Sequence, residues 1–443
     1  MNDNELMKSM PIPQSVAKMA IPSIISSLVT VVYNMADTFF VGQTGDPLQV
    51  AAVSLTNPIF ILFMAFANMF GMGGSAAASI AMGENNKTRM KQVSSFITYA
   101  SLGVGILFAG LLVLFMQPIL NIFGANTETY DLAKGYVFHI SYGAPFIIWS
   151  AAASFVVRSE GSSREAMIGS MIGTVANIVL DPFMISILHM GAAGAAIATT
   201  IGNILASAYY LWYFMKKSPN FSILPKYFSL ENRLASMICS CGFPTAIFSV
   251  LMSLSTIILN QILVTYGNAP VAAIGIVFKA NMFITFLQMG LANGVQPLLG
   301  YNFGSGDTKR FHGVESYTKK CCLIVGVLAT ALFFIFRRPI LQMFINDEEV
   351  IRYGIKMLIA YMISGPFIGI LFTNMNCMQS AGKALPATIL SVLRQGVLLI
   401  PVLYLLNGLL GLNGVIYGQA LTDCITVLLS IIFWRKLSHN LYA

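Results

Sequence analysis

Charge is scarce in this chain: only 9% of its 443 residues are Asp, Glu, Lys or Arg, while 56% are hydrophobic. A soluble surface normally needs roughly a quarter or more charged residues, so the composition excludes a water-facing globule and implies a bilayer. The chain also lacks a G-x-x-x-x-G-K-[ST] phosphate loop, which removes the usual nucleotide-driven energy source. Metal and disulfide spacings are missing as well. Cys239-Ser240-Cys241 lacks the two-residue gap of a redox or zinc pair, Cys321-Cys322 cannot easily bridge each other, and Cys377 and Cys424 stand apart. The histidines, His139, His189, His312 and His439, are scattered. The cysteines read as small apolar residues, and no cofactor is expected.

What is present is apolar sequence in long runs. About 20 residues cross roughly 30 Å of hydrocarbon, and runs of that length or more fall near 15–41, 48–80, 92–116, 130–157, 164–187 and 190–215, then near 236–265, 270–301, 314–336, 350–378, 385–408 and 412–434. Gly and Pro inside them suit membrane helices, and the alternating pattern of an outer-membrane barrel is absent. The expected fold is an all-α polytopic membrane protein of twelve transmembrane helices.

Four segments recur 221 positions downstream: Val50–Val53 with Val271–Ile274, MGENNKTR at Met82 with FGSGDTKR at Phe303, GAPF at Gly143 with SGPF at Ser364, and RSEG at Arg158 with QSAG at Gln379. Four ordered matches at one offset indicate duplication. Pro22 and Gly45 likewise correspond to Pro244 and Gly267 at 222, so the first apolar run is a resident helix and not a signal peptide. The reading is two homologous six-helix lobes, 1–215 and 234–443, joined by a cytoplasmic linker at 216–233. An even helix count per lobe makes the repeats parallel and favours substrate binding between lobes near mid-membrane.

The formal net charge of +8 would suggest nucleic acid if it formed one patch. Instead, with the N-terminus inside, 18 of the 25 Lys and Arg fall in cytoplasmic segments and five (Lys134, Arg337, Arg338, Arg352 and Lys356) outside. This bias places both termini in the cytoplasm. Nucleic-acid binding is not expected, and no obligate protein partner is evident.

The remaining acids matter most. Asp37 in YNMADTFFVGQ has Asn34 three residues before it, and Asp181 in NIVLDPFMI has Asn177 four residues before it, each on the same helix face. A carboxylate in hydrocarbon costs several kcal/mol and should face an interior cavity with a partner, proton or cation. Two such carboxylates with amide neighbours make an oxygen-rich pocket that titrates as a coupled unit. The plainer reading puts each Asp near a helix end, wetted or capping. Against it, the second copy offers Leu259 and Asn260 for Asp37 and Thr38, and PVLYLL near Pro401 for LDPFMI.

With these residues the chain resembles the multidrug and toxic compound extrusion (MATE) transporters, within a wider group that includes polysaccharide and lipid flippases. NMADTFFVG, ANIVLDP and QPLLGYNFGSGD carry the resemblance. It implies export of cationic lipophilic compounds in exchange for protons or sodium, with cation-site roles for Asp37, Asn177, Asp181 and Thr199; the same four would ligate sodium. Thr200 is the neighbouring alternative to Thr199, and Pro22 becomes a bend point in the first helix. The chain departs from a branch of the family that has a glutamate in the seventh helix and an aspartate in the tenth: here stand Asn260-Gln261 and Thr373, Asn374 and Asn376. Asp423 is the remaining second-lobe acid at depth, with Arg394 or Lys279 as its partner.

Gln288, Asn293, Gln296 and Asn302 on the eighth helix, with Lys279 and Asn260, are candidates for lining a substrate cavity. The alternative is that amides at this depth hold helices together. The 25 methionines suit a pocket that repacks around varied ligands, or simply fill the core. The resulting expectation is a non-enzymatic antiporter for xenobiotic export and antibiotic resistance in a bacterial inner membrane, with small cations and lipids as partners. Its rivals are a lipid-linked glycan flippase, which would need a strongly cationic cavity, and a membrane-embedded enzyme, for which Arg158, Glu160, Arg164 and Glu165 are the best cluster. Nothing resembles a channel filter.

Overall fold

The computed structural model describes residues 3–42, 46–230 and 233–440. These are helical nearly throughout, with no strand among the described residues. The first half comprises α1 (Asp3–Lys8), α2 (Ile12–Gly42), α3 (Pro47–Gly83), α4 (Lys87–Leu114), α5 (Met116–Ile122), α6 (Tyr130–Ser159), α7 (Ser163–Asp181) and α8 (Gly191–Trp212). The second comprises α9 (Leu234–Val264), α10 (Asn268–Gly304), α11 (Thr308–Ile335), α12 (Arg337–Gln342), α13 (Glu348–Ser364), α14 (Ile368–Ser380), α15 (Ala384–Val392), α16 (Leu399–Leu410) and α17 (Leu412–Asn440). Among the described residues eleven helices are long and apolar enough to cross a membrane, or twelve spans if α13 and α14 form one. This is a multi-pass membrane protein.

The expected spans coincide with these helices to within a few residues, with one correction. The tenth, read as a continuous run over 350–378, is two helices bent by 46°. Gly365-Pro366 stands at the break, where proline lacks an N–H and its ring excludes the preceding carbonyl. Gln288 of α10 clasps the break: its Nε2 donates to Gly365 O at 2.8 Å and its Oε1 accepts from Gly369 N at 2.6 Å. The corresponding Gly143 and Pro145 of the first copy lie inside an unbroken α6.

The duplication is written into the backbone. Asn86 Oδ1 caps α4 by accepting from Arg89 N at 3.0 Å, and Asp307, 221 positions on, caps α11 by accepting from Arg310 N at 2.9 Å. At the same offset Asp347 caps α13 by accepting from Val350 N at 3.0 Å, and Asn126 makes the matching bond to Thr129 N at 2.9 Å in the turn that leads into α6. Such caps satisfy amides that the helix itself leaves free.

Contacts divide the chain into two compact units, cut within helices and not at the linker as the expected lobes are. One unit is Val29–Ala246; the other is Ile247 onward together with the chain up to Leu28. Each unit thus includes the first half of the other copy's leading helix. In the first unit the start of α9 crosses α3, where a Cβ on Gly73 would lie 1.9 Å from Ile238 O and one on Gly242 1.8 Å from Met69 O. In the second unit the start of α2 crosses α10, where a Cβ on Gly294 would lie 2.8 Å from Ala20 Cα. Gly73 and Gly294 are 221 apart. Small residues let helix backbones approach this closely in a membrane.

The linker is strapped to the first unit. Ser94 Oγ donates to Ser222 O at 2.9 Å and accepts from Ser222 N at 3.0 Å, while Ser95 and Tyr99 donate to Leu224 O and Ile223 O at 3.1 and 2.9 Å. Phe228 stacks on Phe96 with centroids 6.0 Å apart.

Candidate functional site

Asp181 ends α7, and Pro182 opens a π-helical turn over Pro182–Ile187. A residue without an N–H shifts the hydrogen-bond ladder, and such π turns recur at functional sites. Here the shift coincides with a carboxylate wholly out of solvent: Asp181 is 0% exposed, with Asn177 at 3% and Thr199 of α8 at 4%. With the Asn177 amide oriented to suit its neighbours, its Oδ1 accepts from Thr199 N at 2.8 Å and Thr199 Oγ1 at 3.0 Å, and its Nδ2 donates to Asp181 Oδ2 at 2.9 Å. Asp181 Oδ1 is buried with no partner among the described residues.

Asp37 approaches from α2 and interacts electrostatically with Asp181. No ion pair involves either carboxylate among the described residues. Asn34, one turn earlier, is exposed and donates back to Thr30 O at 2.9 Å. Two residues not singled out from sequence join them. Tyr33 Oη lies 3.5 Å from Thr199 Oγ1, and Tyr33 and Tyr136 both feel the charges of Asp37 and Asp181. Tyr33 sits one turn before Asp37, a spacing visible in the sequence, whereas nothing local marks Tyr136. The structure therefore brings Asp37, Asn177, Asp181 and Thr199 into one polar site inside the first unit.

The second unit has no such site at the matching positions. Leu259 and Leu403, 222 residues after Asp37 and Asp181, are buried together in one apolar cluster with Leu263, Met357 and Val415. Its acid, Asp423, is balanced, because Arg394 Nε donates to Asp423 Oδ1 at 2.8 Å. Of the two partners considered for it, Arg394 is thus the one engaged, and Lys279 is exposed on α10.

The other second-unit candidates are mostly tied to the protein. Gln288 clasps the α13–α14 break, Asn293 Oδ1 accepts from Asn376 Nδ2 at 3.0 Å, and Asn302 donates to Leu298 O at 2.7 Å. Gln296 is 1% exposed, and its backbone carbonyl accepts from Ser380 Oγ at 3.2 Å. Asn260 is half-buried on α9. Pro22 lies inside the uninterrupted α2.

At the α6–α7 turn, Glu165 pairs with Lys217 at 2.6 Å and accepts from Tyr209. Glu160 accepts from Tyr213 Oη at 2.7 Å, Ser218 Oγ at 2.9 Å and Asn220 N at 3.0 Å. Burial pushes the Glu160 carboxyl above its ordinary range, against the pull of those donors. Both glutamates serve to anchor the linker and the end of the α8 segment.

A model of the MatE family matches the chain twice, over residues 22–183 and 244–405. The chain belongs to the MatE family. This MatE protein is 32% identical over 424 residues to the multidrug export protein MepA of Staphylococcus saprophyticus, covering 95% of this chain and 93% of that one. It is 31% identical over 445 residues to the protein of the same name from Staphylococcus aureus, covering 100% and 98%. Its fold matches a MATE family transporter of the MOP superfamily in an outward-facing conformation, with a TM-score of 0.92 at 23% identity over 100% of this chain and 99% of that one. A MATE protein in a bent conformation matches at 0.89 and 23% identity, over 100% and 98%.

Proposed function

We propose that this MatE protein is a secondary antiporter that exports lipophilic cations, drugs and toxins among them, in exchange for an inward-moving ion. The observation that carries the reading is the Asp37–Asp181 pair: two carboxylates at membrane depth in the first unit, without an ion-pair partner among the described residues, while Asp423 of the second unit is neutralised by Arg394. Buried charge without compensation is costly and is retained where a proton or cation is handled. The relatives named multidrug export proteins support the same cargo class.

A proton is the coupling ion that best suits the geometry. Asn177 Oδ1 and Thr199 Oγ1, two of the oxygens a sodium ion would use, are turned to each other. That leaves Asp181 Oδ1 and the Asp37 carboxylate as acceptors, and a proton needs no further ligand. In the cycle we infer, protonation of the pair in the outward state displaces the cationic cargo. Proton loss toward the cytoplasm restores the charge that attracts the next cation. Exchange of one proton for one monovalent cation moves no net charge, so the pH difference alone drives it, at about 1.4 kcal/mol per pH unit, or a tenfold cargo gradient.

The Lys and Arg bias supports a cytoplasmic membrane location with both termini inside. A flippase for anionic lipid-linked glycans is less well supported, since the deep basic group Arg394 is already neutralised by Asp423. Transport of ethidium into everted membrane vesicles, under a proton or a sodium gradient imposed separately, tests the reading. Transport driven by the proton gradient is expected. Transport driven by sodium alone overturns the choice of ion, and no transport under either overturns export of cations.

A further inference from the structure

The linker lies along α4 of the first unit in a way that sorts its side chains. Its backbone is bonded on the protein side: Ser222 N and O pair with Ser94, Ile223 O with Tyr99 and Leu224 O with Ser95, while Tyr227 N and Phe228 N donate to Leu224 O and Pro225 O at 3.0 and 2.9 Å. A segment bordering hydrocarbon requires its polar backbone satisfied in this way. Turned away from the protein are the exposed side chains of Leu224 and Phe228, with Tyr99 of α4 exposed beside them, its ring 5.9 Å from that of Phe228.

Positive charge gathers at one end of this apolar strip. Lys91 precedes Tyr99 by eight residues on α4, which places it about 12 Å closer to the helix start at 1.5 Å per residue. There Lys91 Nζ lies 5.1 Å from the centroid of the Tyr227 ring, and Lys226 Nζ lies 5.1 Å from the same centroid. The two ammonium groups, one from α4 and one from the linker, are thus no farther apart than twice that distance. Neither forms an ion pair among the described residues. Like charges this close repel, and a shared ring face offsets only part of the repulsion.

Apolar surface that ends in uncompensated positive charge matches an anionic phospholipid at both of its ends. A free phosphate ion would use the lysines and leave Leu224, Phe228 and Tyr99 uncovered. A zwitterionic lipid would bring its own cation to a place where two already meet, whereas a net negative headgroup is attracted by each basic residue near the membrane surface.

We propose that the first unit binds one anionic phospholipid of the adjoining leaflet, its phosphate at Lys91, Lys226 and the Tyr227 hydroxyl and an acyl chain along Leu224, Phe228 and Tyr99. The lipid would hold the linker from the membrane side, as the α4 hydroxyls hold it from the protein side. The inference rests on the chain's membrane location and is independent of cargo and coupling ion.

The test follows the thermal midpoint of the purified full-length protein in detergent, titrated with phosphatidylglycerol, phosphatidylcholine or inorganic phosphate at constant ionic strength. Phosphatidylglycerol should raise the midpoint, saturating with concentration, by a shift on the order of 2 °C beyond phosphatidylcholine. Inorganic phosphate should leave it unmoved. In the double variant Lys91→Gln/Lys226→Gln, the phosphatidylglycerol concentration giving half the shift should rise roughly thirtyfold. Lys309→Gln/Lys320→Gln removes the same charge from two exposed lysines of the second unit and should respond as the parent does. Equal shifts with the two lipids, a shift reproduced by inorganic phosphate, or the same weakening in both double variants, meaning charge without a site, would each overturn the proposal.

Discussion

Asn177 and Asp181, one turn apart on α7, share a hydrogen bond of 2.9 Å that fixes one carboxylate oxygen and leaves the other buried without a partner among the described residues, with Asp37 as the carboxylate's electrostatic neighbour. Thr199 orients the asparagine from the adjacent helix through two hydrogen bonds, one from its backbone and one from its hydroxyl. The carboxylate is therefore pre-positioned by neutral groups, with no basic side chain paired to it among the described residues.

Thr199→Val removes one of those two bonds at nearly constant volume. A net hydrogen bond of about 1 kcal/mol corresponds to roughly a fivefold effect, so initial ethidium transport should fall about fivefold with unchanged protein level in the membrane. An unaltered rate would show that Thr199 does not orient the site.

Gln288→Leu should destabilise the protein by about 2 kcal/mol or more, since two buried backbone groups at the α13–α14 break lose their partners at a cost of about 1–3 kcal/mol each. Thermal unfolding in detergent reads this as a lower midpoint. Were Gln288 a substrate ligand and nothing else, transport would fall and the midpoint would hold.

Gly73→Ala and Gly110→Ala make a matched pair. A Cβ at Gly73 would overlap Ile238 O, whereas one at Gly110 meets nothing within 4 Å. The first substitution should abolish monodisperse protein in size-exclusion chromatography of solubilised membranes, and the second should be tolerated. Equal yields would contradict the close α3–α9 crossing.

Glu160 gives a pH dependence. Its folded-state pKa is raised by burial, so its contribution to stability is full below its unfolded value and is lost as pH rises through the folded value. Across that window Glu160→Gln should unfold with a flatter pH profile than the parent, losing less stability on the alkaline side. An identical slope in both proteins would count against the shift.

The sequence made the membrane runs plain because crossing hydrocarbon demands long apolar stretches whatever their neighbours. It could not show the break at Gly365-Pro366, since nearly the same motif at Gly143–Pro145 stays helical in α6. Nor could it show that the leading helices divide between units, because apolar periodicity reports burial without naming the partner. Asp37 and Asp181 stood out because a carboxylate at depth is expensive. Tyr33 and Tyr136 did not, because an aromatic in a membrane helix is ordinary. The amides of α10 were ambiguous for a physical reason: a buried amide must bond to something, and in Gln288 that something is the protein's own backbone.

Proton release on cargo binding tests the central claim most directly. Purified protein in weakly buffered solution is mixed with ethidium at a pH where the Asp37–Asp181 pair holds a proton, and the pH change is followed with an indicator dye. If the pair exchanges a proton for a cation, about one proton should appear per ethidium bound, and Asp37→Asn and Asp181→Asn should each reduce that ratio sharply while remaining folded. Ethidium binding with no proton release by the parent, or release undiminished in both variants, would contradict the account.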